Sequence, residues 1–282
     1  MKRSGRFLDL VAAGVALGAT ASLPAGASAG GSSTVSVIDG PARSVAAPSG
    51  PGWKVYASSV PLSAKVTVVE GKKNVDGSCT LSESGSVPPG GLAEHSDEIA
   101  FNASTCESQI SQYRLSNEEA VVADAVGEST GVAATETEQS GFAAPAPAGV
   151  GALATYSEGA YSRTWYEDPP GLDVTSVRNS TNWSYNGSCV LSNTARANYS
   201  WLSGWSKLSS NLNGGYTCAR STSSSYAKFR NGIFCLTIDT YNTYDRNNIW
   251  GQENGGYSWS YNVTKSGGCT ALLSVHHSSA FN

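Results

Sequence analysis

Beyond residue 153, apolar and polar positions alternate with a period of two. Tyr257, Trp259, Tyr261 and Val263 fall on one side of an extended chain, and Ser258, Ser260 and Asn262 on the other. That is the pattern of a β-strand with one buried face. The same alternation joins Ala197, Tyr199 and Trp201, and also Phe234, Leu236 and Ile238, while Trp183 and Tyr185 lead into Gly187 and Cys189. Turn-forming clusters separate these runs: Asn213-Gly214-Gly215, Asn231-Gly232, Glu253-Asn254-Gly255-Gly256 and Ser266-Gly267-Gly268. Strand, turn, strand at this spacing predicts a mainly β fold, an antiparallel β-sandwich or small barrel, over 154–282. Helical periodicity is absent there, which argues against an α/β design.

The pattern is weaker upstream. Lys65-Val66-Thr67-Val68-Val69 and the segment starting at Cys79 read as strands, Pro88-Pro89-Gly90-Gly91 as a loop, and 104–115 and 117–126 as short helices. Only four aromatics (Trp53, Tyr56, Phe101 and Tyr113) serve residues 53–126, so this is expected to be a small unit with little core of its own, dependent on its disulfide. Residues 127–153 are Thr, Glu, Ala, Gly and Pro-rich and read as a linker; residues 30–52 read as a flexible leader.

The amino terminus changes the picture from fold to compartment. Lys2, Arg3 and Arg6 precede an apolar run from Leu10 to Ala21, then Pro24 and the small-x-small Ala27-Ser28-Ala29. That is a signal peptide over 1–29, its apolar run shorter than the roughly 20 residues that span a bilayer. The expectation is a secreted, extracellular protein with no membrane association after signal removal. The whole chain carries 18 basic and 22 acidic side chains. Without the leader the count is 15 and 21, a net of −6, which disfavours nucleic acid as a partner. The charge is divided: residues 30–152 hold 6 basic and 14 acidic groups, and 153–282 hold 9 and 7.

In an oxidising compartment, Cys79, Cys106, Cys189, Cys218, Cys235 and Cys269 read as three disulfides. Asp76-Gly77-Ser78-Cys79-Thr80-Leu81-Ser82 recurs as Asn186-Gly187-Ser188-Cys189-Val190-Leu191-Ser192, each copy followed by a Thr-Cys pair at 105–106 and 217–218. The repeat predicts Cys79–Cys106 and Cys189–Cys218, leaving Cys235–Cys269.

Candidate chemistry is sparse. Gly127-Glu128-Ser129-Thr130-Gly131 has the letters of a nucleophile elbow but opens a linker, without the strand and helix that chemistry requires. Glu94-His95-Ser96-Asp97-Glu98 lacks a metal-ligand spacing and reads as a solvated acidic loop. The oxygen-rich stretch 239–248 lacks calcium-loop spacing and reads as polar strand and turn. His276 and His277 follow an apolar run, so one should face in and one out, as structural histidines by default or as an acid/base pair. No catalytic residue, metal or cofactor is assigned.

The remaining signal is aromatic: 6 Trp, 11 Tyr and 3 Phe lie in 153–282. Some must build the core, but Trp201, Trp205, Tyr244 and Trp250 sit beside Gly/Ser or polar turns and are the candidate ligand-binding platform. The reading is a secreted, non-catalytic binding protein for a glycan or cell-wall polymer. Its rivals are an extracellular hydrolase using an acid pair or a histidine base, and an adaptor or inhibitor with a secreted protein partner.

Overall fold

In the computed structural model, residues 41–120, 132–143, 154–169 and 171–282 are described. The expected signal peptide, the expected leader before residue 41, the Gly-x-Ser-x-Gly segment and residues 144–153 of the expected linker lie outside them. Among the described residues, seventeen strands run in chain order: β1 Ala42–Ser44, β2 Trp53–Val55, β3 Ser59–Pro61, β4 Lys65–Glu70, β5 Lys72–Lys73, β6 Cys79–Val87, β7 Ala93–Asn102, β8 Glu107–Leu115, β9 Val132–Ala143, β10 Tyr156–Glu167, β11 Asp173–Tyr185, β12 Val190–Leu202, β13 Trp205–Tyr216, β14 Ser221–Cys235, β15 Ile238–Gly251, β16 Tyr257–Gly267 and β17 Ser274–Phe281. The fold is mainly β and antiparallel. One large sheet has the order β4-β8-β7-β17-β10-β11-β12-β9, with β2 pairing β7; a second has the order β13-β14-β15-β16-β6-β5, and β1 pairs with β3 in a small third one.

The division expected at 127–153 does not follow the sheets. Val132–Ala143, read as linker, is strand β9 and pairs with β12; β6 pairs with β16, and β7 with β17. Strands from the aromatic-poor first half thus complete both sheets of the aromatic-rich second half. Their backbone groups need partners, and the second half supplies them. Two further corrections concern local structure. Residues 107–115, read as helix, form β8, because Ser108 and Ile110 alternate inward beside β7. Of the second helix only 117–120 is helical within the described residues, with Ser116 and Glu119 forming a reciprocal cap (Ser116 N to Glu119 Oε2, 2.8 Å; Glu119 N to Ser116 Oγ, 3.2 Å).

In the second half the alternation holds well. β16 buries Tyr257, Trp259, Tyr261, Val263 and Lys265 and leaves the residues between them half-buried. Asn213-Gly214-Gly215, however, continues β13 and Asn231-Gly232 continues β14 instead of turning, and of the expected run Phe234-Leu236-Ile238 the first belongs to β14, the last opens β15 and Leu236 lies in the turn between them. Leu236 there has φ +58°, which no extended chain allows. The disulfides are Cys79–Cys106, Cys189–Cys218 and Cys235–Cys269, the pairing expected from the repeat. No helix among the described residues is long and apolar enough to cross a membrane.

The large core cluster takes residues from both sheets, including Val177, Tyr199 and Tyr166 from one and Phe229, Ile249 and Trp259 from the other. Its middle is polar. Buried Asn247 donates to the carbonyls of Ser162 (3.2 Å) and Val177 (3.0 Å), and buried Asn179 donates to that of Ser223 (3.0 Å). Asn193 donates to Gly215 O and Thr222 O. Side-chain amides of one sheet thus bond the backbone of the other. The facing positions on β14 are Ser221, Ser223 and Ser225, all buried and small enough to let the sheets approach.

Next to this layer lies a buried ion pair. Lys265 Nζ on β16 is 2.5 Å from Glu98 Oε2 on β7 and 2.7 Å from Leu273 O; the same carboxylate accepts from Ser108 Oγ and Val275 N. Removing one partner of such a pair leaves an uncompensated charge and costs about 3–5 kcal/mol. Lys265→Met should therefore lower stability by about that much in guanidinium unfolding, while exposed Lys54→Met should change it by less than about 0.5 kcal/mol.

Candidate functional site

The aromatic residues expected to form an exposed platform do not form one. Tyr244 is fully buried, donates its hydroxyl to Thr175 O (2.7 Å) and stands edge-on to Phe229 and Tyr166. Trp205 is 6% exposed and packs 6.0 Å from Phe234. Trp201 is half-buried against Phe229, and half-buried Trp250 carries the Arg220 guanidinium 5.6 Å above its ring. Tyr244 and Trp205 are core rings and Trp201 packs against that core, whereas Trp250 lies between buried Ile249 and Gly251 and so stands on the other face of its sheet, apart from the three.

A cavity of about 560 Å³ lies instead where both sheets end laterally, between β6 and β16 on one side and β4, β8 and β7 on the other. Its polar wall follows from the period of two. Glu94, Ser96 and Glu98 share the inward face of β7, and their neighbours on β8 are Arg114, Gln112 and Ile110. Lys65 on β4 pairs with Gln112 and lies at the rim. The opposite wall carries Trp259, whose partner on β6 is Gly85. A Cβ on Gly85 would come within 2.4 Å of Glu94 Oε2 and 2.7 Å of the Trp259 ring, so only glycine leaves room for both.

Two carboxylates join the walls. Trp259 Nε1 donates to Glu94 Oε2 (2.8 Å), whose other oxygen takes Arg114 Nη2 (3.3 Å). Glu83 on β6 accepts from Tyr261 OH (2.5 Å), Ser96 Oγ (3.1 Å) and Gln112 Nε2 (3.4 Å). Burial raises the Glu83 carboxyl above the usual range, against the lowering pull of those hydrogen bonds. His277 lies behind, its ring 4.0 Å from that of Trp259, and burial holds it neutral with its pKa well below the ordinary value.

The segment 94–98, read as a solvated acidic loop, is therefore a strand buried on both faces. Its other face carries a second cluster. Asp97 Oδ1 meets His276 Nδ1 at 2.7 Å and His95 Nε2 at 3.0 Å, Asp97 Oδ2 accepts from Tyr113 OH (3.1 Å), and Trp165 stacks on His276. Burial works to raise Asp97, but the two imidazoles outweigh it and hold the carboxyl well below its usual range. Burial would lower His276, yet Glu167 and Asp97 raise it to about 9. Ser274 Oγ is 3.0 Å from His276 Nε2, which completes the connectivity of a Ser-His-Asp relay. Held protonated by Glu167 and Asp97, His276 is poorly suited to act as a base at neutral pH, and Ser274 is 5% exposed. The cluster ties β7 to β17 as an ion network. No three His, Cys, Asp or Glu side chains among the described residues are grouped to hold a metal ion.

The site residues that sequence reasoning missed (Glu83, Glu94, Gln112, Arg114 and Lys65) all belong to the half taken as accessory. The available signal was the alternation of Glu94, Ser96 and Glu98. Polar inward residues give the same pattern as a solvated surface, so it pointed outward.

The two neighbouring histidines should titrate in opposite senses. His276 has a folded pKa above its unfolded value, so its stabilisation is full below about pH 6.5 and lost as pH rises through about 9. His277 has a lowered one, so its stabilisation is present above about pH 6.5 and lost on acidification. Denaturant midpoints measured from pH 5 to 10 should show His276→Gln flattening the alkaline limb and His277→Gln the acidic limb. Equal slopes in variant and parent would remove the assignment.

Comparison with protein-family models, with curated proteins and with solved structures finds no match for this chain, so its function is argued from the geometry of the cleft.

Proposed function

We propose that the protein is a secreted binding protein that takes a glycan or cell-wall saccharide into the lateral cleft. The observation that carries the reading is the lining. In about 560 Å³, within the range of small-molecule sites, a carboxylate acceptor (Glu94) faces amide, guanidinium and ammonium donors (Gln112, Arg114 and Lys65) beside an indole. A carboxylate next to spaced donors suits vicinal hydroxyls, each of which both donates and accepts. Three disulfides support export to an oxidising compartment.

A second reading is glycoside hydrolysis. Glu83 and Glu94 approach from opposite sheets, and the raised Glu83 carboxyl has the property of a general acid. Against it, Glu94 lines the cavity while Glu83 lies behind the lining, held by Tyr261, Ser96 and Gln112, which favours binding without turnover.

Titration of the secreted protein with soluble chitin, cellulose and peptidoglycan fragments, followed by tryptophan fluorescence, tests the choice. Glu94→Gln and Arg114→Ala should each weaken binding about 10- to 100-fold, the loss of a charge-assisted hydrogen bond. Trp250→Ala should leave it unchanged. Release of reducing ends, abolished in Glu83→Gln with affinity retained, would replace binding by hydrolysis. Retention insensitive to both cleft variants would refute the site.

A further inference from the structure

At one end of the six-stranded sheet, apolar side chains project into solvent from two turns. The register puts both turns at the same end of the sheet, with β16 and β6 between β15 and β5: Cys235 opposite Ile238 closes the β14–β15 hairpin, Thr240 lies beside Gly267, Lys265 beside Cys79, and Cys79 beside Lys73. The hairpin exposes Ile233 (74%), Leu236 (89%) and Ile238 (56%), and the β5–β6 turn, on the far side of β16, leaves Val75 fully exposed.

This apex is held rigid. Cys235 is bonded to Cys269, Asn231 Oδ1 accepts from both Ile233 N (2.8 Å) and Phe234 N (2.9 Å), and Phe234 packs on Trp205. Leu236 occupies the left-handed region at φ +58°, a conformation a bulky residue adopts only when its surroundings impose it. A free loop would fold these side chains back; this one cannot.

From this end of the fold we infer a docking point on a lipid bilayer bearing anionic headgroups, with Leu236, Ile233 and Ile238 entering the boundary between headgroups and acyl chains. The size of the apolar surface decides the occupant. A few separated aliphatic side chains offer far less than the roughly 800 Å² per partner of a stable protein interface. A bilayer boundary, by contrast, accepts shallow apolar insertion without a complementary groove. The charges at this end of the sheet agree: Lys72 and Lys73 are exposed on the edge strand β5, Lys73 also donating to Ser104 O (2.8 Å), and Arg230 is paired with Asp239 (2.9 Å), which leaves Asp76, hydrogen-bonded to Ser78 (2.6 Å), as a carboxylate beside the two lysines that has no cation partner among the described residues. The earlier expectation of no membrane association rested on the lack of a long apolar run. Side chains that cluster only through sheet register leave no such run.

The test uses protein recovered from secretory expression of the full chain, co-sedimented with vesicles of phosphatidylcholine alone or with added phosphatidylglycerol. The intact protein should sediment with the anionic vesicles. Leu236→Asp should cut the bound fraction at least tenfold, and Lys72→Glu with Lys73→Glu should remove the preference for phosphatidylglycerol. In Leu236→Trp, the added indole should shift to the blue and be quenched by brominated acyl chains. Far-UV circular dichroism and the guanidinium unfolding midpoint report that each variant is folded. No sedimentation of the intact protein, or sedimentation unchanged by Leu236→Asp, would overturn the inference. So would apex-dependent self-association without vesicles.

Discussion

Everything in this fold rests on how its two sheets are joined through a polar middle. Asn247, Asn179 and Asn193 are buried and spend their amide protons on backbone carbonyls across the gap. A buried amide without partners costs several kcal/mol in an apolar medium, so each bond is as much an avoided penalty as a gain. The consequence is specificity. A one-residue slip of any of these strands would turn its amides outward and leave carbonyls opposite unpaired. Serines opposite the asparagines keep the gap narrow, and the aromatic rings fill the wider ends of the interior.

The same rule continues laterally with charged groups in place of amides. From the Glu98–Lys265 pair, the inward face of β7 proceeds through Ser96, which bonds Glu83, to Glu94, which bonds Trp259. The walls diverge towards the edge, and the polar groups that bridge them deeper in become the lining of a cleft. Its donors and acceptors are set by the packing that holds the sheets together, so the cleft is preformed. The outward face of β7 carries the Asp97 network with His95, Tyr113 and His276. A strand with ionised groups buried on both faces requires cover on both sides. That explains why the first half of the chain cannot be a detached accessory unit.

Much of the architecture was legible from residue order. The alternation in β16 matches its burial residue by residue, and the recurring Gly-Ser-Cys motif indicated the three disulfides. The reading failed where polar residues face inward. Glu94, Ser96 and Glu98 have the letters of a solvated loop, and Trp205 and Tyr244 sit beside turn residues that suggested exposure. Burial of a polar side chain depends on a hydrogen-bond partner far away in sequence, such as Trp259 for Glu94, and local patterning carries no trace of that partner.

The division of labour follows from the range of the forces involved. By itself the sequence determined the strand periods of the second half, some of the turns, the pairing of the cysteines and the β class, because each is a property of neighbouring residues or of a short repeat. Only the tertiary structure decided which strands pair across the supposed domain boundary, which aromatics lie inside, and where carboxylates and cations meet. Those outcomes arise from hydrogen bonds and ion pairs between residues as far apart as Glu94 and Trp259 or Glu98 and Lys265. They come into being only when the two sheets close on one another and exclude water.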